Sequence, residues 1–190
     1  QYLAGKYPEA IRSLRELNGI NSSTGQYAMY YLGDCYLKTG DKTSARSAFS
    51  YAKRLDFNPE LKEEALFNYA KLSYESNDPA EAIAALQELQ PDSRFYNESQ
   101  DLLADILLSY RNYRQAMEII EQLPNRTPAI QRSYQRVVYL RALQLYQTNS
   151  FEEAKKRFER SLEFPIDPLT KALAMYWLGD IYHLQGDYNK

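Results

Sequence analysis

The stretch that decides the fold is Tyr31-Leu32-Gly33-Asp34-Cys35-Tyr36, followed by Gly40-Asp41, Ala45, Phe49 and Ala52. Two helices that cross closely need a small residue on each at the contact. Gly33 and Ala45, twelve residues apart, supply that pair. Phe49 stands four residues beyond Ala45, so it lies on the same face and fills the interface. Between the two helices Gly40 tolerates a left-handed backbone and ends the first helix. Asp41 is then placed to cap the second. The stretch reads as a helical hairpin.

Working outward, the same pattern recurs along the chain. Gly5-Lys6-Tyr7-Pro8-Glu9-Ala10, Gly40-Asp41-Lys42-Thr43-Ser44-Ala45, Asn77-Asp78-Pro79-Ala80-Glu81-Ala82, Arg111-Asn112-Tyr113-Arg114-Gln115-Ala116 and Asn149-Ser150-Phe151-Glu152-Glu153-Ala154 are versions of one another. A sixth, Gly186-Asp187-Tyr188-Asn189-Lys190, stops short of its alanine. The anchor alanines 10, 45, 82, 116 and 154 are spaced by 35, 37, 34 and 38 residues. Gly33, Ala70, Ala104 and Ala142 precede the complete anchors by twelve, with Gly179 the matching residue of the last repeat. Leu14, Phe49, Leu86, Ile120 and Phe158 follow the anchors by four. A fixed period of this length marks a stacked repeat architecture.

The pattern predicts helices at 7–17, 26–39, 42–55, 60–76, 79–89, 95–110, 113–123, 128–148, 151–163 and 169–185. Pro8 and Pro79 fall early in their helices, where a missing N–H costs little. Pro59, Pro91, Pro124, Pro128, Pro165 and Pro168 mark the links, of which 56–60 and 163–168 are long. The repeats divide as 1–24, 25–59, 60–94, 95–128, 129–168 and 169–190, the first and last incomplete, with no domain boundary expected inside 1–190. Gln1 at the start and the interrupted motif at Lys190 suggest a piece of a longer array.

These residues resemble a tetratricopeptide repeat. Trp177-Leu178-Gly179-Asp180-Ile181-Tyr182 with Gly186-Asp187-Tyr188 is as similar to one as the opening stretch. The middle repeats depart from the pattern, with Ala at the small position and Arg141 before Ala142. The resemblance implies an all-α fold, an α-α superhelix or solenoid of about ten antiparallel helices, right-handed with a concave groove lined by the first helix of each hairpin. Its Tyr-rich, Gly-Asp-Tyr style is similar to that of bacterial tetratricopeptide proteins associated with the cell envelope.

Composition narrows the function classes. The 190 residues are 44% hydrophobic, enough for a core, and carry a net charge of −2 with both signs interspersed. That gives no electrostatic footprint for nucleic acid. No stretch approaches the length of a membrane span. Cys35 is the only cysteine and His183 the only histidine, so neither a disulfide nor a His-rich or Cys-rich metal site is expected. Cys35, beside Gly33, is expected in the core. No Gly-rich phosphate loop and no nucleophile elbow occur. The reading is non-catalytic, without cofactor.

The candidate partner-binding residues are the stripes that the first helices would turn into the groove. They are Tyr30 and Asp34; Phe67, Lys71 and Tyr74; Asp105; Tyr139 and Tyr146; and Tyr176, Asp180 and His183, with Tyr27 flanking. Tyrosine gives much contact area at low entropic cost. Such an aromatic, partly acidic face would take a peptide or helix of a protein partner. Tyr7, Tyr36, Tyr69, Tyr113 and Tyr182 are expected to pack between hairpins. The carboxylate clamp of chaperone-binding members is absent: Asp34, Lys71, Asp105, Leu143 and Asp180 stand where its asparagines would, and Asn68 alone fits. Incomplete repeats at both ends offer apolar faces through which copies could associate. The alternative reading is a regulatory or sensor domain of a transcription factor or signalling kinase.

Overall fold

The computed structural model describes residues 1–186; the last four residues of the sixth motif, 187–190, lie outside the described residues. Among the described residues there are ten α-helices and no strand. They are α1 (Tyr7–Arg15), α2 (Ser23–Lys38), α3 (Lys42–Ala52), α4 (Pro59–Glu75), α5 (Pro79–Gln87), α6 (Tyr96–Ser109), α7 (Tyr113–Gln122), α8 (Pro128–Gln147), α9 (Phe151–Leu162) and α10 (Pro168–Leu184). Each expected helix is found, with ends within three residues of the expectation. A 3-10 turn at Tyr2–Ala4 precedes them, which the repeat pattern gives no reason to expect. The chain divides into two compact units, Gln1–Ser99 and Gln100–Lys190, with the division inside α6.

The turns form as their residues require. Gly40 (φ 83), Asn77 (φ 60) and Asn149 (φ 58) take the left-handed conformation at the ends of α2, α4 and α8. Asp41 and Asp78 then accept from the Ser44 and Glu81 amides and cap α3 and α5. Ser22, Asn58, Asn112, Thr127 and Asp167 do the same for α2, α4, α7, α8 and α10. Lys6 and Ser150 differ: their side chains make no cap bond to α1 and α9. Pro59, Pro128 and Pro168 are not link residues but the first residues of their helices, each directly behind a cap, where proline's fixed φ suits the first turn.

In the first unit α2 packs against α1 and α3, α4 against α3 and α5, and the first helices α2 and α4 touch. In the second, α8 packs against α7 and α9, and α10 against both α9 and α8. The repeat residues make these contacts. All five anchor alanines are buried, and Phe49, Leu86, Ile120 and Phe158 are fully so. Burying one such side chain contributes about 1.5–3 kcal/mol. At Gly33 a Cβ would stand 2.9 Å from two ring atoms of Phe49, so that crossing admits only glycine without adjustment.

Two buried glutamines fasten the long links. Gln26 on α2 donates to the carbonyls of Leu55 (2.6 Å), Asn58 (3.2 Å) and Ala52 (3.4 Å) and accepts from the Asn58 amide (2.7 Å). Gln135 on α8 donates to the Asp167 carbonyl (3.2 Å) and accepts from the amides of Asp167 (2.7 Å) and Ile166 (3.0 Å). Each stands seven residues before the small residue of its helix and 32 before the capping Asn or Asp that precedes proline. A long link carries backbone groups that no helix satisfies, and these amides satisfy them. Glu63, at the same position of α4, accepts from Ser93 in the following link (2.7 Å).

Candidate functional site

The candidate residues of the first unit form an aromatic run beginning at Tyr2. Its ring lies 4.8 Å from Tyr31 and 6.1 Å from Tyr7. Tyr31 stacks on Tyr27 at 6.5 Å and meets Tyr30 edge-on at 5.3 Å, and Tyr30 meets Phe49 at 5.9 Å. Tyr27 is exposed, and its hydroxyl accepts from the Asn58 side chain (2.8 Å). Tyr30 is partly buried and donates to Glu64. Burial, then that bond, push its phenol well above the usual range, so it stays protonated.

Asp34 is tied by the Tyr2 hydroxyl at 2.7 Å. Phe67 departs from expectation: it is 6% exposed, stacked on Phe95 of the following link at 5.3 Å, with the Lys71 ammonium 5.2 Å above its ring. The link folds over the face that was expected to be open. Lys71 itself is exposed and Tyr74 partly buried. Asn68 donates its amide to the Glu64 carbonyl one turn back.

In the second unit the candidates gather around Trp177. Its indole N–H donates to the Tyr139 hydroxyl (3.3 Å), and its ring lies 4.8 Å from Tyr146 and 5.2 Å from Tyr176. Tyr139 leans on Phe158 at 5.8 Å and Tyr146 on Phe151 at 5.5 Å. Tyr146 donates to Asp180, and that bond raises its phenol. Tyr176 is 66% exposed, and Leu169, Met175 and Leu184 on the same helix are exposed as well. His183 and Asp105 are exposed. Asp105 lines a cleft of about 380 Å³ between α6 and α8, together with Asp101, Arg132 and Arg136.

The arrangement therefore repeats a device the sequence reading does not contain. Tyr2–Asp34, Tyr30–Glu64 and Tyr146–Asp180 each join a tyrosine to a carboxylate 32 or 34 residues on, in the next first helix. Tyr2 and Glu64 are absent from the candidate set. A tyrosine followed by an acid at about one repeat length is the signal that would have found them. Among the described residues no group of three or more His, Cys, Asp or Glu is placed to hold a metal ion. Cys35 is buried, and burial raises its thiol above the usual range. No helix among the described residues is long and apolar enough to cross a membrane.

The family model described as Tetratricopeptide repeat protein 21 ARM repeat matches residues 4–120, and the one described as Tetratricopeptide repeat matches residues 139–190. The chain belongs to the tetratricopeptide-repeat family. Comparison with the curated proteins returns no match. In this tetratricopeptide-repeat chain the tyrosines divide by position. Tyr2, Tyr30 and Tyr146 fasten one repeat to the next, Tyr69 is buried with its hydroxyl on Glu81 (2.9 Å), and Tyr27 and Tyr176 remain exposed. Tyr7, Tyr36, Tyr113 and Tyr182, expected to pack, are partly buried.

Proposed function

We propose that the chain is a non-catalytic protein-interaction module that takes a peptide or helix of a protein partner on its exposed tyrosines. The observation that carries this is Tyr176. It stands two-thirds exposed against Trp177, which Tyr139 and Tyr146 also contact. A large ring already fixed in place loses little entropy on binding, which is what a contact residue needs. Tyr27 offers the same kind of ring in the first unit, steadied by Tyr31 and Asn58. The carboxylates Asp34 and Asp180 stand on the same helices as these rings, each accepting a tyrosine hydroxyl, so the surface favours a partner with basic as well as apolar side chains. Membership of a larger, cell-envelope assembly draws its support from the style of the repeats alone.

The test is a comparison of partner recovery by the wild-type chain and by Tyr176→Ala and Tyr27→Ala, with helicity checked by circular dichroism. Both substitutions are at exposed sites and are expected to leave the fold intact. Loss of about tenfold or more in affinity for a recovered partner is the expected result for at least one of them. Equal recovery by all three folded proteins refutes the reading.

A further inference from the structure

The cleft between α6 and α8 lies wholly in the second unit and carries an unusual charge arrangement. Asp101 and Asp105 stand one turn apart on α6, and Arg132 and Arg136 one turn apart on α8. All four are exposed. The Thr170 hydroxyl holds the Asp167 carboxyl low, with a smaller contribution from Arg136, but among the described residues none of the four enters an ion pair. Ala104 and Ala129 also line the cleft, and their short side chains leave its space open. Two anions and two cations thus share one cavity without meeting.

We propose that this cleft binds an extended peptide segment whose side chains alternate between basic and acidic. Successive side chains of an extended chain point to opposite sides, and those on one side recur about every 6.6 Å. Positions four apart on a helix recur about every 6 Å along its axis. Two basic side chains on one edge of the peptide therefore match Asp101 and Asp105, while two acidic ones on the other edge match Arg132 and Arg136. Exposed ion pairs contribute little singly, so affinity here comes from several formed in register. A peptide of the same composition with its charges segregated cannot form them together. The inference deepens the interaction-module reading and rests on it only in taking this face for a contact surface. It also widens the partner chemistry, because the stripe tyrosines call for basic and apolar groups and this cleft adds acidic ones.

The test uses the whole chain and two labelled synthetic peptides, one alternating lysine and glutamate and one with all lysines before all glutamates. Fluorescence anisotropy at low salt is expected to show the alternating peptide binding about fivefold or more tighter, with the difference fading as salt is raised. Asp101→Asn with Asp105→Asn, and separately Arg132→Gln with Arg136→Gln, are each expected to abolish the difference. Equal binding of the two peptides overturns the proposal, as does no binding of either. An effect confined to the arginine pair also overturns it, since it marks a site for acidic groups alone. Recovery of a partner that depends on Tyr176, seen alongside such a result, places the failure in this cleft and not in the interaction-module reading.

Discussion

Residues 28–36 and 174–182 are nearly one sequence in two situations. Ala28-Met29-Tyr30-Tyr31-Leu32-Gly33-Asp34-Cys35-Tyr36 and Ala174-Met175-Tyr176-Trp177-Leu178-Gly179-Asp180-Ile181-Tyr182 differ only where Trp177 replaces Tyr31 and Ile181 replaces Cys35. Both are helical, both bury their alanine and leucine, and in both the aspartate accepts a tyrosine hydroxyl. The rest differs. Met29 is 1% exposed and Met175 56%. Gly33 is closed by Phe49 of α3, whereas a Cβ on Gly179 would meet nothing within 4 Å. Preceding helices cover one face of α2 and of α10 alike. The other face of α2 is covered by the helix that follows it, and among the described residues no helix follows α10. Local sequence sets the helix and its faces, while a neighbour in the stack decides which face is buried.

The largest expected contrast is between the methionines. Met29→Ala removes fully packed atoms and is expected to cost about 2–5 kcal/mol, whereas Met175→Ala stays within about 0.5 kcal/mol. Urea unfolding of the two variants measures both, and equal losses would break the comparison.

Next comes the position of Gln26, which Ala172 occupies in α10. Gln26→Ala leaves the Asn58 amide and the Leu55 carbonyl without their Gln26 partner, at about 2–3 kcal/mol, and Ala172→Gln at its exposed site is near neutral. Urea midpoints decide this too.

Glycine gives a smaller effect of opposite signs. Gly33→Ala forces Phe49 to move and is expected to lose about 1–2 kcal/mol net of helix propensity, while Gly179→Ala gains up to about 1 kcal/mol. Thermal unfolding shows the two shifts in opposite directions.

The smallest effect concerns Tyr30, bonded to Glu64, against Tyr176, whose hydroxyl has no hydrogen-bond partner among the described residues. Tyr30→Phe is expected to cost about 1 kcal/mol at neutral pH. The folded-state phenol titrates above its unfolded value of about 10. Its contribution is therefore complete below that pH and declines as the pH rises past it. Urea midpoints followed from pH 8 to 11 should fall more steeply for wild type than for Tyr30→Phe, with Tyr176→Phe following wild type.

What was legible in the sequence was whatever repeats at short range. The anchor alanines, their partners four residues on and the Gly-Asp turns specify hairpins through contacts within one period, so all ten helices could be placed. The glutamine links and tyrosine–carboxylate ties were not read, because each joins residues 26 to 34 apart through a single side chain and leaves no local periodicity. Phe67 shows the same limit from the other side. Its stripe position is right for an open face, but Phe95, in an irregular link, covers it. Tyr2 stands eight residues before Ala10, as Tyr74 and Tyr146 stand before Ala82 and Ala154, and that shared register is the signal that could have found it.

The bond between Gln135 and the link before α10 has a consequence for how this end of the second unit opens. Ile166 is exposed, and both its amide and that of Asp167 point at a side chain buried in α8. α10 cannot fray away turn by turn from its start without stranding that glutamine in apolar surroundings. These two surface amides should therefore exchange their hydrogens with solvent as slowly as the core of α8 does, so that the link opens only together with the helix pair it joins.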